Sequence, residues 1–241
     1  MKILNTAKID NPQIKAIIYG ESGAGKTYSA KSIDGKALVI SGESGLLSLR
    51  GADLDFMDLS KDDNGKTISE PRDRIRRLSE IFAYLQAGTG YTDVFLDSLT
   101  EIQELVVANL NKEFPDRKDS LVLWGENAKR MTGIIKAFRD LPYNIWMTCL
   151  AEADKDENAQ RFMGLALSGK VARNTPQYFD LVLYLQVDEE KKRTFVTAKS
   201  SKNVCKDRSG RLDPVEPADL GHIARKIVIP QPVNAKKEKQ A

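Results

Sequence analysis

Eight residues near the start of the chain have types and spacing suited to holding phosphate. Gly20-Glu21-Ser22-Gly23-Ala24-Gly25-Lys26-Thr27 fits G-x-x-x-x-G-K-[ST]. Glycines let the backbone curl into a concave nest whose successive N–H groups aim at phosphate oxygens. In that frame Lys26 reaches the β- and γ-phosphates and the Thr27 hydroxyl holds Mg²⁺. The apolar run "IKAIIY" (Ile14 to Tyr19) precedes the motif, and the helix-competent "TYSAKSI" follows it. Such a helix would add the positive end of its dipole. The alternative, a glycine turn with no ligand, does not account for that strand–loop–helix context.

A second metal partner is available in "TDVFLDSLT", an apolar strand that ends in Asp97. A carboxylate there can complete the Mg²⁺ site. Asp97 could instead cap the helix that "SLTEIQ" begins. The string Gly-Glu-Ser-Gly occurs again in "ALVISGESGLLSLRG" (Ala37 to Gly51). Ligands of open α/β sheets gather at the carboxyl ends of strands. Glu43, emerging from "ALVIS", is therefore expected at the same edge as the phosphate loop, where a carboxylate can polarise an attacking water. Otherwise Glu43 is a solvated loop carboxylate, which is how Glu21 of the first copy reads. A guanine-specific N-K-x-D is missing: "NKEF" (Asn111 to Phe114) has Phe where Asp is required. ATP is favoured over GTP.

The elements that must position these residues alternate. "IKAIIY", "ALVIS", "DVFLD", "NIWMTCL", "LVLYLQV" and "TFVTAK" read as strands. "SEPRDRIRRLSEIFAYLQAG" reads as a helix with Pro71 near its start and Gly88 near its stop. Ile75, Leu78, Phe82 and Leu85 form its apolar face. "SLTEIQELVVANL" opens on a capping box, Ser98 with Glu101. "WGENAKRMTGIIKAFRDLP" places Trp124, Met131, Ile135 and Phe138 on one face and stops at Pro142. Continuous apolar strands alternating with helices predict an α/β fold with a mostly parallel central sheet. "LVLYLQVDEEKKRTFVTAK" adds a late antiparallel hairpin. One domain is expected over residues 1–229, followed by a disordered basic tail over residues 230–241.

Composition excludes several classes. With 241 residues, 41% of them hydrophobic, the chain can build an ordinary core. The net charge is +3, and the tail "PQPVNAKKEKQA" supplies +2 through three Lys and one Glu, leaving +1 on the body. Any nucleic-acid contact must therefore come from a local patch. Two cysteines and one histidine make neither a disulfide framework nor a zinc site. With no long apolar run and no signal-like start, a reducing cytoplasm and no membrane are expected.

The order of these motifs resembles the RecA-type core. In that family the strand after the phosphate-loop helix leads to a glutamate that serves as catalytic base, as "VISGESGLL" does at Glu43. "VFLDSL" resembles its metal-binding strand. The resemblance implies a sensor at Thr148 in "NIWMTCL", although Thr148-Cys149 stands where the bacterial recombinase has Asn-Gln. It implies a mobile DNA loop over Ala151 to Asn174, carrying Arg161, Lys170 and Arg173. It also implies that Lys199 and Lys202, placed on the hairpin, act on a neighbouring subunit's nucleotide. "GESGAGKT", "ESGLLSL", "LDSLTE" and "VARNTPQYFDLVLYL" together resemble phage-encoded AAA-type nucleotide-binding proteins, which include RecA-core single-strand annealing proteins. The likeness spans Ile14 to Asn203 and implies an ATPase with ATP and Mg²⁺ as cofactors, stimulated by single-stranded DNA. It further implies a homo-oligomer working with a single-strand-binding protein.

The residues themselves add one basic, aromatic stretch, "NKEFPDRKDSLVLWGENAKR", with Lys112, Arg117 and Lys118 beside Phe114 and Trp124. Cations and aromatics of this kind suit a sequence-tolerant single-strand groove. Trp124, on a helical apolar face, reads rather as core, and "RDRIRR" (Arg72 to Arg77) as a solvated helix face. Two other readings remain open: an ATP-dependent switch for a protein partner without DNA, and a small-molecule P-loop kinase.

Overall fold

The computed structural model describes residues 13–43, 45–115, 120–155 and 159–228. Ser44, Arg117, Lys118 and the expected tail fall outside the described residues. The elements run β1 (Lys15–Gly20), β2 (Ala37–Ser41), β3 (Asp55–Asp58), α1 (Pro71–Gln86), β4 (Asp93–Asp97), α2 (Leu99–Glu113), α3 (Ser120–Arg139) and β5 (Asn144–Lys155). They continue with β6 (Arg161–Leu165), α4 (Lys170–Asn174), β7 (Leu181–Val187), β8 (Arg193–Val196), β9 (Lys206–Asp207), β10 (Val215–Pro217) and α5 (Leu220–Val228).

The strands form one ten-stranded sheet in the order β10-β8-β7-β1-β5-β4-β2-β3, with β6 on β5 and β9 on β7. From β7 to β3 the neighbours are parallel, while β8, β10, β6 and β9 join antiparallel. The central strands "AIIYG", "ALVIS" and "DVFLD" are buried at every position, as a sheet covered on both faces requires. Leu78, Ile81, Val106, Ile135 and Phe138 of α1, α2 and α3 pack on the face that carries Ile17, Leu38, Val94 and Met147. Ala30, Leu49, Leu220 and Ile223 pack on the other face, with Ile18, Val39, Phe95 and Trp146. Side chains alternate between faces along a strand. Ser41 shares its face with Val39, Asp97 with Phe95, and Thr148 with Trp146. Polar residues from three adjacent strands, Ser41 and Asp97 at the ends of β2 and β4 and Thr148 within β5, thus meet on one face.

Several expectations change. "TYSAKS" forms a six-residue 3-10 helix, Thr27–Ser32, in place of an α-helix. The loop expected over Ala151 to Asn174 holds structure: β5 continues to Lys155 and pairs antiparallel with β6, and α4 follows. A ladder that projects past the sheet needs few apolar residues, so its sequence reads as loop. Trp124 shares the face of Met131, Ile135 and Phe138 on α3 but is 49% exposed, whereas those three are buried. Arg130 pairs with Glu113, the last residue of α2. Before that level Leu123 packs on the core and Asn127 is buried, while the Trp124 ring is left uncovered. The short strands β3, β9 and β10 carried too little periodic pattern to be anticipated, whereas helix α5 was missed although Leu220, Ile223, Ala224 and Ile227 stand at helical spacing and pack on the core. Among the described residues no helix is long and apolar enough to cross a membrane.

Candidate functional site

The loop after β1 turns through two left-handed glycines, Gly23 at φ +76° and Gly25 at φ +103°. Side-chain-bearing residues take such angles at a cost, so both positions need glycine for the nest to form. Lys26 is only 8% exposed. Its ammonium donates to the carbonyls of Gly20 and Glu21, each at 2.9 Å. Burial pushes its pKa below the ordinary lysine value, opposed by the charges of Asp97 and Glu43. Glu21, Ser22 and Gly23 are exposed along the rim of the loop, and Ala24 is buried beneath it.

Asp97, at the end of β4, is the hub. Thr27 Oγ1 donates to its Oδ2 at 2.6 Å. Thr148 Oγ1 donates to its Oδ1 in a short bond. Burial pushes the Asp97 carboxyl above its usual pKa and the Glu43 charge adds to this, while the two hydroxyls and Lys26 oppose it. The sheet positions expected for Thr27, Asp97 and Thr148 are therefore brought together. Asp97 is not the cap of α2: Ser98 is, its hydroxyl accepting from the Glu101 N–H at 3.4 Å. The Asp97–Ser98 peptide is cis.

Glu43 is exposed at the same edge. Its Oε1 accepts from Ser98 Oγ at 2.8 Å. The neighbouring Gly42 N–H donates to the Asp97 carbonyl at 2.6 Å. A Cβ on Gly42 would lie 3.1 Å from Cγ of Glu101, so the turn after β2 packs tightly against the start of α2. The second Gly-Glu-Ser-Gly thus delivers its carboxylate to the edge that the first one occupies. Cys149, beside Thr148 but on the opposite face, is wholly buried and its pKa is pushed up to about 12. It is a packing thiol.

Four residues at this edge were not read from sequence as part of the site, Ser98 having been read only as a helix cap. Ser98 holds Glu43. Ser41 Oγ is fully buried and has no hydrogen-bond partner among the described residues. Ser41 stands directly opposite Asp97 in the β2–β4 register. Arg193 opens β8, paired with Val187 at the end of β7, and its Nε donates to the Ala24 carbonyl at 3.0 Å. Tyr28 follows Thr27, and its ring lies 5.5 Å from the Arg193 guanidinium. Hairpin geometry was the usable signal for Arg193: the first residue of a returning strand sits beside the end of the strand it left.

The lysines expected on that hairpin are elsewhere. β8 ends at Val196, and Lys199 and Lys202 lie beyond it, both exposed. The Lys202 carbonyl accepts from Met163 N–H of β6 at 2.7 Å. Of the proposed DNA contacts, Arg161, Lys170 and Arg173 are exposed. Lys112 is paired with Glu70.

The donors around Asp97 suit Mg²⁺. The set is all oxygen, from Thr27, Asp97 and the unsatisfied Ser41 hydroxyl, and hard cations take oxygen ligands. Among the described residues no group of three or more His, Cys, Asp or Glu side chains could hold a metal alone. Mg²⁺ does not need one, because it keeps waters and uses one or two carboxylates with substrate phosphates.

A glycine nest on the first strand, an aspartate ending a strand two places away and a mostly parallel sheet between helices define a P-loop NTPase of the AAA type. A family model described as an AAA domain matches residues 12–209. That is most of the sequence, and the chain belongs to this family. A search of curated proteins finds no match.

Proposed function

We propose that the chain is an ATP-hydrolysing, RecA-like core that acts on single-stranded DNA, as phage recombination and annealing proteins do. The observation that carries the nucleotide half is the convergence of Lys26, Thr27, Asp97, Thr148 and Glu43 on one sheet edge. Lys26 holds two neutral carbonyls, which charged phosphate oxygens would displace. Thr27 and Asp97 would hold Mg²⁺, which would supply charge neutralisation for a bound triphosphate. Glu43, kept at the edge by Ser98, orients and polarises the attacking water. Thr148 fixes the Asp97 carboxylate.

The DNA half rests on the resemblance and on exposed cations and aromatics. β5 runs past Leu150, which pairs with the last residue of β1, and with β6 it forms an arm beyond the carboxyl edge. Lys155 and Arg161 face each other on that arm, and Lys202 lies against it. Trp124 offers a free ring for base stacking. A protein-partner switch is the second reading. It is favoured by Leu121 and Val122, exposed beside Trp124. Head-to-tail oligomers and a single-strand-binding protein as partner belong to the first reading.

ATPase measured with and without single-stranded DNA tests the choice. Stimulation is expected, with affinity falling by a log–log salt slope of about 0.7 per neutralised phosphate. Hydrolysis that ignores DNA, in a chain that DNA does not retain, would favour the protein-partner switch.

A further inference from the structure

The sheet order gives a bound triphosphate a direction. The phosphate loop rises from β1. Asp97 at the end of β4 and Thr148 of β5 stand on one side of it, and β7 and β8 lie on the other. Lys26 and Thr27 serve the β- and γ-phosphates and the metal, and Thr27 is bonded to Asp97. A nucleotide with its γ-phosphate toward β4 therefore extends its nucleoside toward β7 and β8.

Two side chains of unusual placement stand on that side. The Tyr28 ring is 49% exposed although it directly follows the phosphate loop. Arg193 reaches it from the start of β8, with its guanidinium 5.5 Å from the ring centroid. Among the described residues Arg193 makes no ion pair; its Nε is used on the Ala24 carbonyl. The contact is close enough that a Cβ on Gly25 would lie 2.6 Å from Nε, so a side chain there would push the Arg193 guanidinium aside. Next to this pair, a groove of about 490 Å³ runs between the loop and the end of β7, lined by Glu21, Ala24, Tyr184, Gln186 and Val187. That volume is in the range of small-molecule sites.

Resting on the nucleotide-binding reading above, we propose that Tyr28 and Arg193 form the platform on which the base of the bound nucleotide stacks. A guanidinium and an aromatic ring are both flat and both stack on π-systems. Thr27 and Asp97 hold the metal end, and the chain's own hairpin, through Arg193, holds the nucleoside end. The hairpin cation that matters for this site is thus supplied in cis, whatever Lys199 and Lys202 do for a neighbour.

The test compares two ligands by calorimetry on the full chain: Mg-ATP, and Mg-tripolyphosphate, which has no base. Tyr28→Ala and Arg193→Lys both leave the charge at the loop unchanged. Each is expected to weaken ATP about ten-fold, within the range for losing one stacking contact, and to change tripolyphosphate affinity less than about two-fold. Tyr28→Phe is expected to keep wild-type affinity for both. Equal weakening of the two ligands would show that the pair only shapes the loop, and would overturn the proposal. Full ATP affinity in Arg193→Lys would overturn the stacking role and leave only a charge. A wild-type chain that binds tripolyphosphate and ATP equally also overturns it. Binding of neither ligand by the wild type fails the nucleotide reading itself, a distinct outcome.

Discussion

Asp93 and Asp97 begin and end the same strand, share one face of the sheet and are each 4% exposed. Asp93 is held by neutral donors that belong to the surrounding framework, the Trp146 indole N–H at 2.9 Å and the Thr92 hydroxyl at 2.7 Å. Nearby at the amino edge, Asn144 accepts from the Ile14 N–H, and Lys15 donates to the carbonyls of Leu141 and Tyr143. Asp97 sits among groups placed for something else. Its partner Thr27 belongs to the phosphate loop, Glu43 is a like charge beside it, and Ser41 has an unsatisfied hydroxyl. Buried polar groups normally satisfy one another, and exceptions gather at functional sites. Equal burial on one strand therefore conceals two roles, and what separates them is how completely the surroundings are matched.

The largest effect should come from exchanging each aspartate for asparagine. Asp97→Asn should cut ATP turnover by at least about 100-fold, on the scale of removing one charge-stabilising group. Its melting temperature should hold or rise, because burial already disfavours the charged form. Asp93→Asn should do the reverse. Turnover of the folded protein should persist, while stability falls by about 1–3 kcal/mol from lost hydrogen bonds to a buried charge. Loss of turnover in both variants, or of stability in both, would erase the distinction between the two ends.

Glu43→Gln comes next. It keeps the bond from Ser98 but cannot polarise water as a carboxylate does. Turnover should drop by about 100-fold, with ATP affinity within a few-fold of wild type. An unchanged rate would return Glu43 to an ordinary loop carboxylate.

Ser41→Ala is a finer probe. Removing an unsatisfied buried hydroxyl should stabilise the free protein by about 1 kcal/mol, seen as a small rise in melting temperature. It should also raise the Mg²⁺ concentration needed for half-maximal turnover by a few-fold. A destabilised variant with unchanged Mg²⁺ demand would place Ser41 with the closed amino edge.

The smallest effect is a pH signature of the amino edge. Burial lowers the Lys15 pKa to about 8. The folded chain then binds fewer protons than the unfolded chain between about pH 8 and the ordinary lysine value, so Lys15 makes stability rise with pH across that window. Chemical denaturation of Lys15→Met should lack this rise. An identical pH dependence in both proteins would remove Lys15 from the account.

Much of this was legible before folding. "ALVIS", "DVFLD" and "LVLYLQV" were readable to the residue because continuous apolar runs bounded by polar residues have few other solutions in an α/β chain. Pro71 and Ser98 marked helix starts by local backbone chemistry. The phosphate loop was legible because its function lies in consecutive backbone groups. Trp124 was misjudged because periodicity tells which face of a helix a residue occupies, not whether anything covers that face. Lys199 and Lys202 were put on the hairpin because a one-dimensional reading cannot tell where a strand stops pairing.

By itself, then, the sequence determined the nest of Gly20 to Thr27, the strands that carry Asp97 and Thr148, and the class of sheet they enter. These follow from local rules: glycine's access to left-handed angles, the two-residue period of strands, and burial of apolar runs. Only the tertiary structure decided that Ser41 faces Asp97 from an adjacent strand and that Ser98 holds Glu43. It alone brought Arg193 onto Tyr28 from far along the chain. Such contacts depend on strand order and register, which no local pattern encodes, because they are set by how the whole sheet closes its core.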